Sequence, residues 1–469
     1  MNIPELPSIS PDFARRSTRA IWHPCTQMKR AEAMPPLGIV RGEGAWLYDQ
    51  AGRRYFDATS SWWVNLFGHA DAGINAAIKD QLDRLPHVML AGCTHRPAVE
   101  LAERLSDLTD GELGHCFFAS DGASAVEIAL KMSFHFWRNR GRGSKREFVC
   151  LRHGYHGETL GALAVTDVAV FRNAYDSLLM PAHQVMSPDA RQAGPCETAV
   201  QVAARAANEL RVLLEARHEQ IAAVILEPLV QAAAGMAMHD PTYLATVRAL
   251  CDRFEVHLIA DEIAVGCGRT GTFFAFEQAA APGQLRIWPD LICLSKGISG
   301  GYLPLSLVLS RHEIYEAFLD DDVARGFLHS HSYSGNALAC RAALAVLDRF
   351  ENDDVLRRNR MEAENFSKSL APLAIDPRIE HLRQRGMIWA FDVRPEHAGA
   401  RFAERFHLAG RANELLIRPI GRSVYLLPPY VLDSTISEWL AERLLKTLHE
   451  VLNQSTADVP DPSLEPRTA

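Results

Sequence analysis

Short apolar runs of strand length recur along this chain, and longer stretches in which apolar residues return every three or four positions separate many of them. The runs are 115–119 (HCFFA), 147–151 (EFVCL), 222–226 (AAVIL), 256–260 (VHLIA), 290–294 (DLICL) and 305–309 (LSLVL), and the main helical patterns fall at 123–138, 197–217 and 241–254. A strand apolar at nearly every position must be covered on both faces, and helices between strands supply that cover. The pattern predicts an α/β domain on a mainly parallel sheet, spanning about residues 71–338. Before it, residues 1–70 carry turn signals at Gly38, Gly42, Gly44 and Gly52; after it, 339–452 mix long helices with strands near 386–393 and 423–427. Both flanks are assigned together to a smaller α+β domain. The tail, 453–469, is rich in Pro, Ser, Asp and Thr and is expected to fray.

Composition narrows the function without naming it. Hydrophobic residues make up 48% and charged residues 23% of the 469, ordinary globular usage. A net charge of −8 argues against a general attraction to nucleic acid or an anionic membrane. The nine cysteines are scattered singly, with no C-x-x-C pair, which points to a reducing cytoplasm and to neither a zinc site nor a disulfide framework. No export signal is read in residues 1–19, and the most apolar stretch, 221–238, is interrupted by Glu227, Pro228 and Gln231.

In open α/β sheets ligands gather at the carboxyl ends of strands, so the residues after each run carry the interest. After HCFFA, Ser120-Asp121-Gly122-Ala123-Ser124 opens a helix; free amides there suit a phosphate, and an ordinary helix cap explains the same residues. After EFVCL, Tyr155 stands between His153 and His156, placed to cover a flat ring or simply to sit in a polar loop. After VHLIA comes Asp261 and after DLICL comes Lys296. A lysine there can snorkel from a strand end, or be neutralised by chemistry. Taken together, a phosphate cradle, a covering aromatic, an acid and a lysine are the four things pyridoxal phosphate requires.

These residues resemble the class III, fold-type I aminotransferases over about 22–430. The stretch from Asp261 through Arg269 to Gly271, then Leu294-Ser295-Lys296-Gly297 and Tyr302-Leu303-Pro304-Leu305, follows that family's signature region. The resemblance implies a large domain with a seven-stranded-type sheet. It also implies pyridoxal 5'-phosphate held by Lys296 as a Schiff base, Asp261 on the ring nitrogen, Tyr155 over the ring, and phosphate donors from Gly122 and Ala123. In His329-Ser330-His331-Ser332-Tyr333-Ser334-Gly335-Asn336, Ser332 is expected to reach the phosphate of a partner subunit, giving a homodimer with shared sites, while His331 receives no role.

Ile21-Trp22-His23-Pro24, Ser60-Ser61-Trp62-Trp63, Asp261-Glu262-Ile263-Ala264 and Ile417-Arg418-Pro419 are most similar to the branch acting in biotin synthesis. That likeness implies transfer of an amino group from S-adenosylmethionine to 8-amino-7-oxononanoate. Trp62, Trp63 and Arg269 would bind substrate, and Arg418 would hold the ketoacid carboxylate. Lysine as donor, or an ω-amino acid or diamine aminotransferase working with pyruvate, are the alternatives. An aminomutase, which would retain the amine and release no free keto product, and a non-catalytic regulator are further rivals, the last disfavoured because no basic helix-turn-helix stretch is evident before Trp22 or after Leu452. Cys25 stands where many members of that branch carry Tyr, Cys267 where Phe is usual, and 231–235 (QAAAG) is poorer in glycine than the family's loop.

Overall fold

The computed structural model describes residues 12–31, 34–281 and 283–453. Asn453 closes the last helix, and the rest of the tail expected to fray lies outside the described residues. A seven-stranded sheet dominates. Its strands are β1 (His115–Ala119), β2 (Glu147–Leu151), β3 (Ala182–Val185), β4 (Ile221–Leu226), β5 (His257–Asp261), β6 (Leu291–Leu294) and β7 (Ser306–Ser310). Their spatial order is β1-β7-β6-β5-β4-β2-β3, and only β7 runs against its neighbours, so the sheet is mixed and mainly parallel. The fold class read from the sequence holds.

The apolar runs are explained by burial on both faces. In β6, Ile292 and Leu294 face one core cluster while Leu291 and Cys293 face the other; in β7, Leu307 and Leu309 oppose Val308 in the same way. Helix α1 (Gly122–Asn139) covers one face through Ala125, Val126, Ala129 and Phe136. Helices α2 (Ala199–Arg217) and α3 (Thr242–Phe254), packed on each other, cover the opposite face with Leu210, Leu214, Leu244 and Val247. The strand that hydrophobic pattern missed is β3, sequence AHQV, because an edge strand is half-covered and has no need of a continuous apolar run.

Both chain ends meet in a second sheet. Ile39–Glu43, Trp46–Asp49 and Arg54–Asp57 form an antiparallel meander, and Leu415–Leu416 adds parallel to its inner edge. A third, antiparallel sheet joins Ile379–Arg385, Ile388–Val393 and Ser423–Leu426. Its first strand, IEHLRQR, was also missed, again an edge strand with polar residues outward.

A carboxylate ties this third sheet to the loops beneath the main one. Asp392, 5% exposed, accepts from Arg383 Nη2 at 2.9 Å, Arg191 Nη1 at 3.2 Å and Ser423 Oγ at 2.6 Å. The same arginines donate to the carbonyls of Ala234 and Met236. Removing the acid leaves the enclosed Arg383 guanidinium without its carboxylate, while Arg191 keeps Asp189, a loss of about 3 kcal/mol. Asp392→Ala is therefore expected to lower stability by about that amount in urea denaturation, and a loss below about 1 kcal/mol would contradict the role given to the cluster.

Candidate active site

Strands β5 and β6 pair in parallel with Asp261 opposite Cys293, so the chain leaves both strands side by side and sets Lys296 beside the Asp261 carboxylate. Lys296 takes φ +46, a left-handed conformation that turns it out of the strand path at its exit. Its amine is enclosed by protein and lies 5.0 Å from the Trp63 ring centre. Enclosure drives its pKa below the ordinary lysine value, while the Asp261 and Glu227 carboxylates pull it part of the way back. Asp261 is 3% exposed; its Oδ1 accepts from Ile263 N at 3.1 Å and its Oδ2 from His156 Nδ1 at 2.7 Å.

A cavity of about 310 Å³ opens between these groups, and Gly122, Ala123, Tyr155, Asp261 and Lys296 all line it. At its far end Asp121 caps α1 by accepting from Ser124 N at 2.9 Å, and the first intrahelical bond runs from Ala125 N to the Asp121 carbonyl. The cap and the anion cradle are thus compatible readings of one turn: Asp121 takes the third amide, while those of Gly122 and Ala123 lie in the helix's unpaired first turn at the cavity wall. Gly157 lets a loop close over this turn. At φ +126, a side chain there would be strained, and its Cβ would stand 2.5 Å from that of Ala123.

Sequence pattern missed three groups. His156 is buried, holds Asp261 through one ring nitrogen and, among the described residues, has no hydrogen-bond partner at Nε2. Glu227, just after β4, accepts from Tyr155 N at 3.1 Å and Ala232 N at 2.9 Å, and burial pushes its carboxyl up to about 7. Glu158 accepts from Tyr155 Oη at 2.8 Å. Each sits one to three residues past a position already singled out or at a strand exit, so reading further into those loops was the available signal.

A second cavity of about 750 Å³ shares Trp63, Tyr155, Glu158 and Lys296 with the first, and continues past Trp62, Cys25 and Arg418. The paired tryptophans come from an unusual turn. Ser60, Ser61, Trp62 and Trp63 all have positive φ, between 50° and 73°, one short left-handed turn that costs roughly 1–2 kcal/mol per residue. Asp57, wholly buried, holds it by accepting from Ser61 N at 2.8 Å and Ser61 Oγ at 2.7 Å. Of the arginines lining this cavity, Arg30 is paired with Glu404, whereas Arg418, among the described residues, has no acidic partner.

Residues 27–448 match the family described as aminotransferase class-III. The chain is a class III aminotransferase. It is 42% identical over 442 residues to the adenosylmethionine-8-amino-7-oxononanoate aminotransferase of Helicobacter pylori, covering 92% of this chain and 96% of that one. The crystal structure of the enzyme of that name from Methanocaldococcus jannaschii superposes with a TM-score of 0.85 at 34% identity, covering 93% of this chain and 98% of the other. An amine transaminase from an uncultivated Pseudomonas species, in its PLP-bound form, gives 0.86 at 30% identity, with coverage of 92% and 99%.

Class III aminotransferases depend on pyridoxal phosphate, and the residues of this one fit that group. An enclosed amine of lowered pKa, a buried carboxylate steadied by an imidazole, and a helix N-terminus share one small cavity. Two expected site residues of the aminotransferase stand elsewhere. Arg269, expected to bind substrate, is 1% exposed and lines neither cavity; its guanidinium donates to the carbonyls of Pro428 at 2.6 Å and Asn65 at 2.9 Å and lies over the Tyr430 ring. That assignment is corrected, because its donors already brace two loops. Ser332 is exposed and borders neither cavity of its own subunit.

The lowered pKa leaves Lys296 with more neutral amine near pH 7 than an exposed lysine has. Cofactor-stripped protein treated with pyridoxal phosphate near neutral pH and reduced with borohydride should carry the label on the Lys296 peptide. Label confined to surface lysines would contradict the site.

Proposed function

We propose that this aminotransferase moves an amino group from S-adenosylmethionine to 8-amino-7-oxononanoate, forming 7,8-diaminononanoate in biotin synthesis. The observation that carries the reading is the larger cavity: its mostly apolar walls bring Lys296, the tryptophan pair and Arg418 onto one space. A ketoacid whose carboxylate is separated from its ketone by a hydrocarbon chain matches that set of surfaces. An arginine without an acidic partner can donate two parallel bonds to the carboxylate. The relatives' names point the same way.

When bound, pyridoxal phosphate supplies an electron sink for negative charge developing on the substrate carbon. The chain's own residues do the rest. Asp261, steadied by His156, keeps a proton on the ring nitrogen. Lys296 Nζ takes the proton from the substrate carbon that bears nitrogen and returns it to the adjoining position, base and then acid. Tyr155 covers the ring, with its backbone tied to Glu227 and its hydroxyl to Glu158. Gly122 and Ala123 N–H groups would hold the phosphate. Trp62 and Trp63 exclude water along the hydrocarbon chain, and Arg418 fixes its far end.

A second reading keeps the reaction but takes lysine as donor, and Cys25 favours it: a short thiol stands on the cavity wall where many members of the branch have Tyr. We further propose a cytoplasmic homodimer in which Ser332 completes the partner's phosphate site, which agrees with its exposure outside its own cavities. No described helix is long and apolar enough to cross a membrane.

Purified protein given 8-amino-7-oxononanoate with either adenosylmethionine or lysine should yield 7,8-diaminononanoate with the first. Product only from a diamine or ω-amino acid and pyruvate would overturn the assignment. Lys296→Ala should abolish both turnover and the visible absorption band of the bound cofactor, and an undiminished rate would sink its role. Arg418→Ala should raise KM for the ketoacid about tenfold or more while leaving the donor's KM near its original value, since a charge-assisted bidentate contact contributes about 1.5–3 kcal/mol. Equal effects on both substrates would remove Arg418 from the carboxylate site.

A further inference from the structure

The loop 329–336 that carries Ser332 is held by imidazoles at both ends. At its C-terminal side His87 Nε2 donates to the Ser332 carbonyl at 2.8 Å, with its ring 4.9 Å from Tyr333, and His95 Nε2 donates to the Gly335 carbonyl at 2.7 Å. Asn336 Nδ2 donates to the Pro86 carbonyl at 3.0 Å. At its N-terminal side Lys131 Nζ, on α1, lies 2.8 Å from His329 Nδ1, and His329 Nε2 lies 3.3 Å from His331 Nε2. The Phe327 ring lies nearly parallel to that of His329, and the Lys131 amine lies over it.

Elementary donor counting fixes the protons of the second cluster. A lysine ammonium has donors only, so His329 Nδ1 must offer its lone pair. A neutral imidazole then carries its hydrogen on Nε2, which donates to His331, and His331 Nε2 must be the acceptor. His331 keeps its hydrogen on Nδ1. The chain Lys131, His329, His331 is therefore fully ordered, and it has no place for one more proton. A proton added to His329 Nδ1 meets the ammonium; one added to His331 Nε2 meets the His329 hydrogen. In either case the contact must open.

We propose that Lys131, His329 and His331 form a proton-sensitive latch that positions the Ser332 loop, closed at neutral pH and released in mild acid. This rests on the reading that Ser332 reaches the partner's cofactor phosphate. Other charges facing the cluster do not reverse it. Burial, Lys131 and His331 all hold His329 below the ordinary histidine value, and Glu127, on the same face of α1, opposes them more weakly because it already accepts from Gly161 N at 2.7 Å. His87 and His95 act through Nε2 donors, which protonation of His87 at Nδ1 leaves in place; His95 Nδ1 accepts from Ala98 N at 3.3 Å and faces that helix, away from the latch. The same helix that offers Gly122 and Ala123 to its own cavity thus pins, two turns on, the loop meant for the partner's.

The sign follows from proton linkage. The open loop frees a histidine of ordinary pKa, about 6.5, and the closed loop binds no proton in this range. Falling pH therefore favours opening, by about tenfold for one proton taken up between about pH 7.5 and about pH 5.5.

The test is amide hydrogen exchange of the peptide spanning 327–336 in the holoenzyme at those two pH values, corrected for the intrinsic pH dependence of exchange. Opening should rise about tenfold in the wild type. In Lys131→Gln, whose amide can accept as well as donate, the rise should fall to about twofold or less, and His331→Gln should flatten it part-way. No rise in the wild type, or an equal rise in Lys131→Gln, overturns the latch. Retention of cofactor on gel filtration separates the underlying reading: Ser332→Ala should lose cofactor faster at about pH 7.5. Unchanged retention there, with the exchange difference intact, refutes the phosphate role of Ser332 and leaves the latch standing.

Discussion

The site depends on an amine made less basic without being left unpartnered. An enclosed lysine far from any carboxylate would lose its proton altogether, and one in open water would keep it. Here enclosure lowers the pKa of Lys296 while Asp261 and Glu227 raise it, and the balance is set by backbone register: β5 and β6 pair so that Asp261 stands opposite Cys293, three residues before the lysine. The parallel sheet is therefore part of the chemistry. Slip that pairing by one residue and the carboxylate would point into the opposite core face, where Leu258, Ala260 and Leu294 now pack.

Holding such a site costs conformational energy, and part of that cost lies in the walls of the cavities. Lys296, Cys25 and the whole turn from Ser60 to Trp63 have positive φ, though none of them is glycine. Such conformations persist only where the surroundings over-determine them. For the tryptophan turn the surroundings are visible: Asp57 takes both Ser61 donors and His69 Nε2, and Ser60 Oγ donates to the Leu427 carbonyl. For Lys296 the neighbours are apolar, with Gly297 allowing Leu66 and Cys267 to approach closely. The smaller sheets thus brace the turn that sets two cavity-lining aromatics beside a lysine belonging to the large one.

Much of this was legible because buried strands leave a strong apolar trace. Six of the seven strands of the main sheet were marked by their runs, with ends shifted by a residue in four of them, and the reactive residues lay just beyond, as strand-exit chemistry requires. What was not legible had one of two physical causes. Edge strands such as Ala182–Val185 and Ile379–Arg385 are polar on their open side and read as loop. Groups that act on other protein groups, such as His156 on Asp261 or Glu227 on the Tyr155 amide, have partners far away in sequence, and no local pattern announces them.

The two arginines of the signature regions show the limit most clearly. Arg269 and Arg418 are the same residue type, and each lies in a segment similar to the family's. Spatially they differ in whether their donors are spent. Arg269 gives both terminal nitrogens to the carbonyls of Pro428 and Asn65, and so fastens the segment after Tyr425 to the one after the tryptophan turn. Arg418, a few residues before Tyr425, keeps its donors and faces the cavity. The buried guanidinium holds the loop pair in place, while the exposed one, among the described residues, spends no donor on a carboxylate. Which arginine serves a substrate is decided by hydrogen-bond accounting in three dimensions, a quantity that sequence similarity does not carry.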